Sequence, residues 1–293
     1  MKTLIIKLGA AGDVVRTTCL LRVLSGEVDW VTSDANAILL SGMDRLRALI
    51  PWSRVETLDG NKYDLVINLE DSPETAGLLG KIKFENLFGA RLDGDGKLTY
   101  TVESKEWFDL SLISRFGKER ADRLKYENRK SYQEIVFEGL GYQFSGETYL
   151  IPEATGTDLK GDIAIAPDAG SVWPNKKWAY YEDLKKELIG FGYVVNMLPF
   201  RETLLEHIND VQNHQCLVSG DSLPMHIALG LGVRCVTLFT CTSPWEIYDY
   251  GIQQKIISPC LKEYFYKREY DQRATMPIPI DEVLDAVKTT LKE

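Results

Sequence analysis

The sequence predicts an α/β protein built of two doubly wound, Rossmann-like domains. Short β-branched apolar runs recur along the 293 residues and alternate with helical patterns, which is typical of buried parallel strands. A stretch without periodicity, Pro152–Gly161, separates two such series. We therefore place one domain at residues 1–155 and the other at residues 156–293, facing each other across a cleft between the carboxyl ends of their sheets.

The predicted strands share β-branched residues and nearly continuous apolar character. In chain order they are Thr3–Leu8, Val28–Ser33, Arg54–Leu58, Tyr63–Leu69, Asp162–Pro167, Tyr193–Leu198, Cys216–Gly220, Cys235–Phe239 and Lys255–Pro259. Helical patterns are found between them at Asp13–Leu24 and Lys177–Gly190, and a last helix is predicted at Ile280–Leu291. Between residues 100 and 149 the alternation is interrupted, and the pattern favours helices.

The composition is that of an ordinary globular protein, with 44% hydrophobic and 26% charged residues. A net charge of −9 excludes the global basicity of nucleic-acid-binding proteins. The five cysteines form no CxxC pair, which favours a reducing, cytoplasmic compartment. A strand pattern follows Lys2 at once, so we expect no signal peptide. No apolar run is long enough to span a bilayer.

The first strand leads into GAAGD, in which Gly9 and Gly12 allow a tight turn before a helix. The spacing is not G-x-G-x-x-G, so it gives little support to a nicotinamide oxidoreductase. Asp13 has two interpretations. It is either the N-cap of the helix or a catalytic carboxylate at the edge of the sheet.

In the second domain, the strand Cys216–Gly220 is followed by the helical pattern that opens at Ser222–Pro224. Free amides and the helix dipole make such an N-terminus an anion site, and the hydroxyl of Ser222 adds a contact. His226 lies one turn further on the same face and can reach the same anion. The alternative is an ordinary capped helix that carries a half-buried histidine.

Two further loops follow strands of the second domain. After Asp162–Pro167, a small loop ends at Ser171, and Lys176 and Lys177 then open a helix; either lysine can meet a diphosphate, and the alternative is a pair of solvated lysines. After Cys235–Phe239, Thr242 offers a hydroxyl to the same ligand. The neighbouring Ser243-Pro244 has the features of a helix start.

Two other motifs have simpler explanations. Asp93-Gly94-Asp95 could hold a metal, but its flanking strand-like residues and the following glycine predict a hairpin turn. The basic stretch Arg115–Lys130, which includes Arg120 and Arg123, is typical of a solvated helix face. Its charge also fits contact with an anionic or membrane-embedded acceptor.

Together these segments resemble family 9 of the glycosyltransferases, the heptosyltransferases that build the inner core of lipopolysaccharide. KLGAAGDVVRTTCLLRVL is similar to the family's amino-terminal signature, and YDLVINLE is similar to its fourth strand. SGDSLPMHIALGLGVRCVTLFTCTSP is similar to its donor-site signature, and MPIPIDEVLDAV also fits. The resemblance spans nearly the whole chain.

The resemblance implies a GT-B fold and an inverting transfer that requires no metal and no cofactor. The co-substrate is then a nucleotide-diphosphate sugar, typically ADP-heptose. The acceptor is a saccharide or glycolipid of cell-envelope polysaccharide or lipopolysaccharide synthesis. The resemblance also implies a cytoplasmic protein, with peripheral contact at the inner face of the plasma membrane as an extension of this expectation.

The resemblance also assigns roles to residues. Asp13 matches the catalytic aspartate, which takes a proton from the acceptor hydroxyl, and Gly12, Arg120 and Arg123 are expected on the acceptor side. The donor and its phosphates are expected to meet a larger set in the second domain. This set is Ser171, Lys176 (or, by a shift of one, Lys177), Asp221, Ser222, His226 and Thr242.

The chain departs from the family pattern at two places. Leu223 stands where the family has glycine, and its side chain restricts the approach of a phosphate. The stretch between Met197 and Cys216 is shorter than in the family, which usually carries a further strand and turn there. Both departures favour an alternative function, a catalytically inactive relative that binds nucleotide sugars.

Overall fold

The computed structural model describes residues 1–110, 116–170 and 172–292. The chain divides into two compact units, Met1–Pro152 and Glu153–Glu293. Each unit has its own sheet, with helices and tight turns between the strands. In the part of the chain that is described, no helix has the length and apolar character needed to cross a membrane.

The first unit contains a sheet in the order β3-β2-β1-β4-β5-β6. Its strands are β1 (Lys2–Ile6), β2 (Glu27–Thr32), β3 (Ala48–Pro51), β4 (Lys62–Asn68), β5 (Lys83–Leu92) and β6 (Leu98–Tyr100). The first five are parallel, and β6 pairs with β5 in the antiparallel direction. The helices are α1 (Ala11–Thr17), α2 (Pro73–Leu78), α3 (Lys105–Asp109), α4 (Lys118–Glu127) and α5 (Tyr132–Gly139).

The second unit contains a parallel sheet in the order β11-β10-β9-β7-β8. Its strands are β7 (Gly161–Ala166), β8 (Val195–Met197), β9 (His214–Gly220), β10 (Arg234–Phe239) and β11 (Gln253–Ile257). Its helices are α6 (Tyr181–Gly190), α7 (Leu204–Gln212), α8 (Leu223–Leu231), α9 (Leu261–Tyr264), α10 (Gln272–Thr275) and α11 (Ile280–Lys292). Its core packs α6 and α11 against these strands.

Both strand orders place a topological switch point at the carboxyl edge of the sheet, where doubly wound proteins bind ligands. In the first unit the order in which strands are added to the sheet reverses between β1 and β4, and in the second it reverses between β7 and β9. The order of the second sheet is the Rossmann order without its third strand, because α7 leads directly from β8 to β9. The segments that follow β1, β7 and β9 carry most of the predicted site residues, and Thr242 follows β10.

Several predicted elements differ from the structure. Arg54–Leu58 is not a strand but part of a 3-10 turn, Trp52–Leu58, and the strand is β3 just before it. Val55 and Leu58 lie three residues apart, which is the repeat of a 3-10 turn, and both pack on the core. The predicted helix Asp13–Leu24 is α1 followed by a 3-10 turn, Thr18–Arg22.

Two predicted helix starts in the second unit are also wrong. The helix expected from Lys177 begins at Tyr181, after a 3-10 turn at Pro174–Lys176. No helix begins at Ser243-Pro244 in this fully described segment. Two carbonyl groups of this segment, those of Pro244 and Ile247, accept hydrogen bonds from the ammonium of Lys255.

The hairpin predicted at Asp93-Gly94-Asp95 is confirmed. It joins β5 to β6, and the carboxylate of Asp93 accepts hydrogen bonds from the backbone amides of Asp95 and Lys97, each at 2.9 Å. The Asp93 carboxylate is therefore an internal partner of the turn, as is usual for aspartate at this position.

Candidate functional site

Asp13 lies at the carboxyl edge of the first sheet, in the first turn of α1. The N-cap residue of this helix is Ala10, whose side chain makes no capping hydrogen bond. The interpretation of Asp13 as an N-cap is therefore wrong. Its side chain is 33% exposed, so solvent or a ligand can reach the carboxylate. Gly12 precedes it within the same turn and is also partly exposed.

Two cations flank the carboxylate of Asp13. Arg16 donates to Oδ1 at 2.8 Å, one turn along α1, and its guanidinium lies over the ring of Tyr132. Lys7, at the end of β1, places Nζ 4.0 Å from Oδ2. Opposite charges at these distances favour the ionised form of a carboxylate, which is the form that accepts a proton.

Lys7 also connects Asp13 to Glu70, which follows β4 across the switch point. Nζ of Lys7 donates to Oε1 of Glu70 at 3.0 Å, and the same oxygen accepts from the backbone amides of Leu8 and Gly9 at 2.7 and 3.3 Å. Glu70 thus fixes the loop that leads into α1. Sequence reasoning did not single out Lys7, Arg16 or Glu70 as site residues.

The second unit contains a buried ion pair at its own switch point. Nζ of Lys176 donates to Oδ2 of Asp221 at 3.0 Å and to the carbonyl oxygen of Asp221 at 2.6 Å. Both side chains are only 14% exposed. Lys177 points elsewhere, because it pairs with Asp168 and both of these side chains are about half exposed. The structure therefore places Lys176, and not Lys177, beside the predicted donor residues.

The surroundings of Asp221 keep it ionised. Burial raises the pKa of its carboxyl, but the ammonium of Lys176, followed by His226 and the hydroxyl of Thr242, lowers it by more, and the net pKa lies below the ordinary value. Nε2 of His226 lies 4.0 Å from Oδ1. Lys176, Asp221, His226 and Thr242 thus form one cluster, as the sequence predicts for the donor side.

Ser222 is the N-cap of α8, and its hydroxyl donates to the carbonyl oxygen of Gly220 at 3.4 Å. Pro224 occupies the first turn, and the helix ends at Gly232 in the left-handed conformation. The helix start predicted at Ser222–Pro224 is confirmed. Its first turn adjoins the Lys176–Asp221 pair, so a cation and a helix N-terminus lie together, which suits an anion.

The remaining predicted residues are less closely placed. Ser171 lies outside the described residues, as does Arg115 at the start of the basic stretch. Arg120 and Arg123 lie on α4 and are exposed, and the guanidinium of Arg120 lies 4.1 Å from the ring centroid of Phe116. This placement fits a solvated helix face and leaves both arginines accessible to an acceptor.

A cavity of about 200 Å³ lies beside the cluster around Lys176 and Asp221 and was not predicted from the sequence. It is bounded by the loop after β7, the loop between β8 and α7, and the first turn of α8. Its lining residues are Ala166, Pro167, Asp168, Leu198, Pro199, Phe200, Arg201, Thr203, Leu204, His207, Leu223 and Pro224. Most of them are apolar, so the cavity suits an apolar or aromatic group with a few polar contacts.

Two polar side chains of the cavity have defined states. Burial lowers the pKa of His207 below its ordinary value, so its ring is neutral at pH 7. Arg201 donates from Nε and Nη2 to the two carboxylate oxygens of the fully buried Asp210, at 2.6 and 2.8 Å. The guanidinium is therefore fixed by an internal partner rather than left for a ligand anion.

The described residues contain no group of three or more His, Cys, Asp or Glu side chains that could hold a metal ion. The cysteines of this part of the chain form no disulfide, and Cys19, Cys216, Cys235 and Cys241 are buried. Burial raises the pKa of the Cys241 thiol to about 11, so it is protonated at neutral pH. These thiols act as small apolar side chains.

Residues 173–274 match the family model of glycosyltransferase family 9 (heptosyltransferase). The matched segment contains Lys176, Asp221 and His226, and it confirms the resemblance drawn from the sequence motifs. No curated protein matches the chain.

Solved glycosyltransferases share the fold of this chain. Escherichia coli heptosyltransferase WaaC with ADP has a TM-score of 0.66 at 15% identity, covering 99% of this chain and 100% of that chain. E. coli ADP-heptose LPS heptosyltransferase II has a TM-score of 0.62 at 17% identity, covering 100% and 99%. The iron-containing dodecameric glycosyltransferase TibC of enterotoxigenic E. coli has a TM-score of 0.57 at 10% identity, covering 99% and 78%. These likenesses confirm the predicted GT-B fold class.

The buried pair predicts how acid affects the second unit. The pKa of Asp221 is lower in the folded protein than the value of about 3.9 expected in the unfolded chain. Its ionised form therefore stabilises the fold above that value, and the contribution is lost as the pH falls toward the folded pKa. In urea unfolding from about pH 5 to about pH 3, we expect the free energy of unfolding to fall more steeply for the wild type than for Asp221→Asn.

Asp168→Asn is the matched control, because it removes an aspartate whose lysine partner is exposed. Exposed pairs contribute less than about 1 kcal/mol, so this variant should follow the wild type. Parallel curves for wild type and Asp221→Asn would contradict the prediction.

Proposed function

We propose that this chain, whose residues 173–274 match glycosyltransferase family 9 (heptosyltransferase), is an inverting glycosyltransferase. In this proposal it moves a heptose from ADP-heptose to a saccharide or glycolipid acceptor in cell-envelope polysaccharide or lipopolysaccharide synthesis. The observation that carries the proposal is the Lys176–Asp221 pair at the start of α8, which adjoins an apolar cavity within the same unit.

The second unit supplies the donor site in this proposal. A nucleoside diphosphate has an aromatic base at one end and two phosphates at the other. The cavity suits the base, and Lys176 with the first turn of α8 suits the phosphates. Leu223 and Pro224 line the cavity and directly follow Ser222, so the two parts of the site are continuous along the chain.

Asp13 supplies the base. Its carboxylate takes the proton from an acceptor hydroxyl while that oxygen attacks the anomeric carbon of the donor sugar. The new C–O bond forms as the bond between the anomeric carbon and the diphosphate oxygen breaks, and the electron pair leaves with the nucleoside diphosphate. A single displacement of this kind inverts the anomeric centre.

Lys176 stabilises the leaving diphosphate. Its ammonium is held by Asp221 at a fixed position, and a preorganised charge at the oxygen where charge develops lowers the barrier. His226 lies beside the same carboxylate and helps to keep it ionised. The hydroxyls of Ser222 and Thr242 belong to the same donor set, and Ser171 is retained in it on the sequence prediction alone.

A second candidate is a relative that binds a nucleotide sugar without turnover. Leu223, which replaces the glycine of the family signature, favours it because this side chain lines the cavity beside the phosphate position. The Asp13 carboxylate, exposed and flanked by cations, favours the enzyme. Product formation from ADP-heptose and a saccharide acceptor separates the two candidates.

We also propose that the transfer requires no metal. The charges that a metal would neutralise are met in this proposal by Lys176 and the α8 N-terminus. The aspartates at Asp93 and Asp95 belong to a hairpin turn, which removes the D-x-D motif from consideration. TibC, which shares the fold, is iron-containing, so this part of the proposal concerns the present chain only.

The buried lysine predicts a binding defect. Lys176→Ala removes a charge-assisted contact to phosphate, which corresponds to a loss of ADP affinity of about tenfold or more in calorimetry. Lys177→Ala is the matched control, since Lys177 is half exposed and pairs with Asp168. Equal affinity for Lys176→Ala and the wild type, with the loss in Lys177→Ala, would reverse the assignment.

The carboxylate of Asp13 predicts a catalytic defect without a binding defect. Asp13→Asn keeps the shape of the side chain and removes the proton acceptor, so kcat should fall by about 10²–10⁴. Donor affinity and the melting temperature should stay close to the wild type, because the donor is proposed to bind the second unit. A near-normal kcat with a true acceptor would exclude Asp13 as the base.

The basic helix α4 predicts an effect on the acceptor. If an anionic acceptor meets Arg120 and Arg123, Arg120→Glu/Arg123→Glu should raise the acceptor KM at low salt and leave ADP affinity unchanged. The control is Lys185→Glu on α6, a charge reversal on the other unit. The same acceptor KM for both variants would reduce α4 to a solvated face.

A further inference from the structure

Phe200 has an unusual position for a phenylalanine. Phe200 is among the residues that line the cavity of the second unit, yet it is 91% exposed. It therefore stands at the rim of the cavity, with its ring accessible to a ligand.

The loop that carries Phe200 is held at both ends. On one side, Leu198 donates its amide to the carbonyl oxygen of Ile165 at 2.8 Å. On the other, Arg201 binds the buried Asp210 through two hydrogen bonds, and Thr203 and Glu206 form a capping box at the start of α7. The backbone on each side of Phe200 is thus fixed at the edge of the cavity.

The cavity has the size and lining for a planar aromatic ring. An apolar cavity of about 150 Å³ binds benzene, and this one measures about 200 Å³. Leu198, Leu204 and Leu223 supply apolar walls. The neutral ring of His207 can donate or accept one hydrogen bond at the edge of a heterocycle.

We propose that Phe200 stacks on the nucleobase of the donor and forms the outer wall of its site. This inference rests on the proposed function, because that function supplies a ligand with a base next to the phosphates. The base would enter between the Leu223 side of the cavity and the Phe200 ring. Burying the exposed ring against the base removes apolar surface of both partners from water.

Stacking on an aromatic side chain is tolerant of base identity, because every base presents a π face. Phe200 would therefore supply affinity for the nucleoside as a class. Selection among bases would fall to the few polar groups of the cavity, of which His207 is the one without a stated ion-pair or capping role. Lys176 would act on the phosphates alone, so the two residues should have separable effects.

The test is calorimetry with ADP, GDP, UDP, CDP and inorganic pyrophosphate on wild type, Phe200→Ala and Phe200→Tyr. Phe200→Ala should weaken the tightest nucleoside diphosphate by about 5- to 150-fold and leave pyrophosphate unchanged. Phe200→Tyr should restore most of the nucleotide affinity, since it keeps the ring. Phe191→Ala is the matched control, because Phe191 is 57% exposed and does not line the cavity.

Each other outcome overturns the inference. Unchanged nucleotide affinity in Phe200→Ala, an equal loss of pyrophosphate affinity, or an equal loss in Phe191→Ala would each exclude stacking. If these occur while Lys176→Ala still loses ADP, the proposed function stands without this residue. If the wild type binds none of the nucleotides and the emission of Phe200→Trp is unchanged by all of them, both proposals fail.

Discussion

The proposed donor side of this chain depends on one largely buried ion pair, Lys176–Asp221. It joins the segment after β7 to the segment after β9. These two strands flank the switch point of the second sheet. Removing one partner of such a pair leaves a charge in a poorly solvated place, which destabilises a protein. The pair therefore does two things at once. It ties the two strand ends together, and it holds an ammonium group at the position proposed for a phosphate.

In the first unit, a different set of charged residues surrounds the carboxylate of Asp13. Arg16 and Lys7 pair with the carboxylate of Asp13, and Glu70 pairs with Lys7 while it accepts a hydrogen bond from the backbone amide of Leu8. In both units the proposed functional side chain lies in the segment that follows a strand at the switch point, and the end of a strand or the segment after it supplies an opposite charge. The fold brings residues of opposite charge together there because the carboxyl ends of parallel strands share one edge.

The sequence predicted the parts of this arrangement that have a local signature. The helix α8 was predictable because Ser222 and Pro224 are start signals, and Lys176 because a strand and small loop precede it. Other parts have no local signature. Lys7 and Glu70 are 63 positions apart and meet only when β1 pairs with β4. The cavity could not be predicted because Leu198–Leu204 has no periodic pattern. The strand predicted at Arg54–Leu58 is wrong because the apolar residues there fit both the repeat of a strand and the repeat of a 3-10 turn.

The absence of a third strand in the second sheet also affects how the protein behaves among its own copies. In its place, β8 becomes the edge of the sheet, and along this fully described part of the chain no further strand pairs with its outer side. An edge of unpaired amides and carbonyls is a template on which another chain can add a strand. β8 has only three residues, Val195–Met197, and short edges offer too few hydrogen bonds for such pairing. Its shortness thus protects the protein against aggregation at the edge that the missing strand exposes.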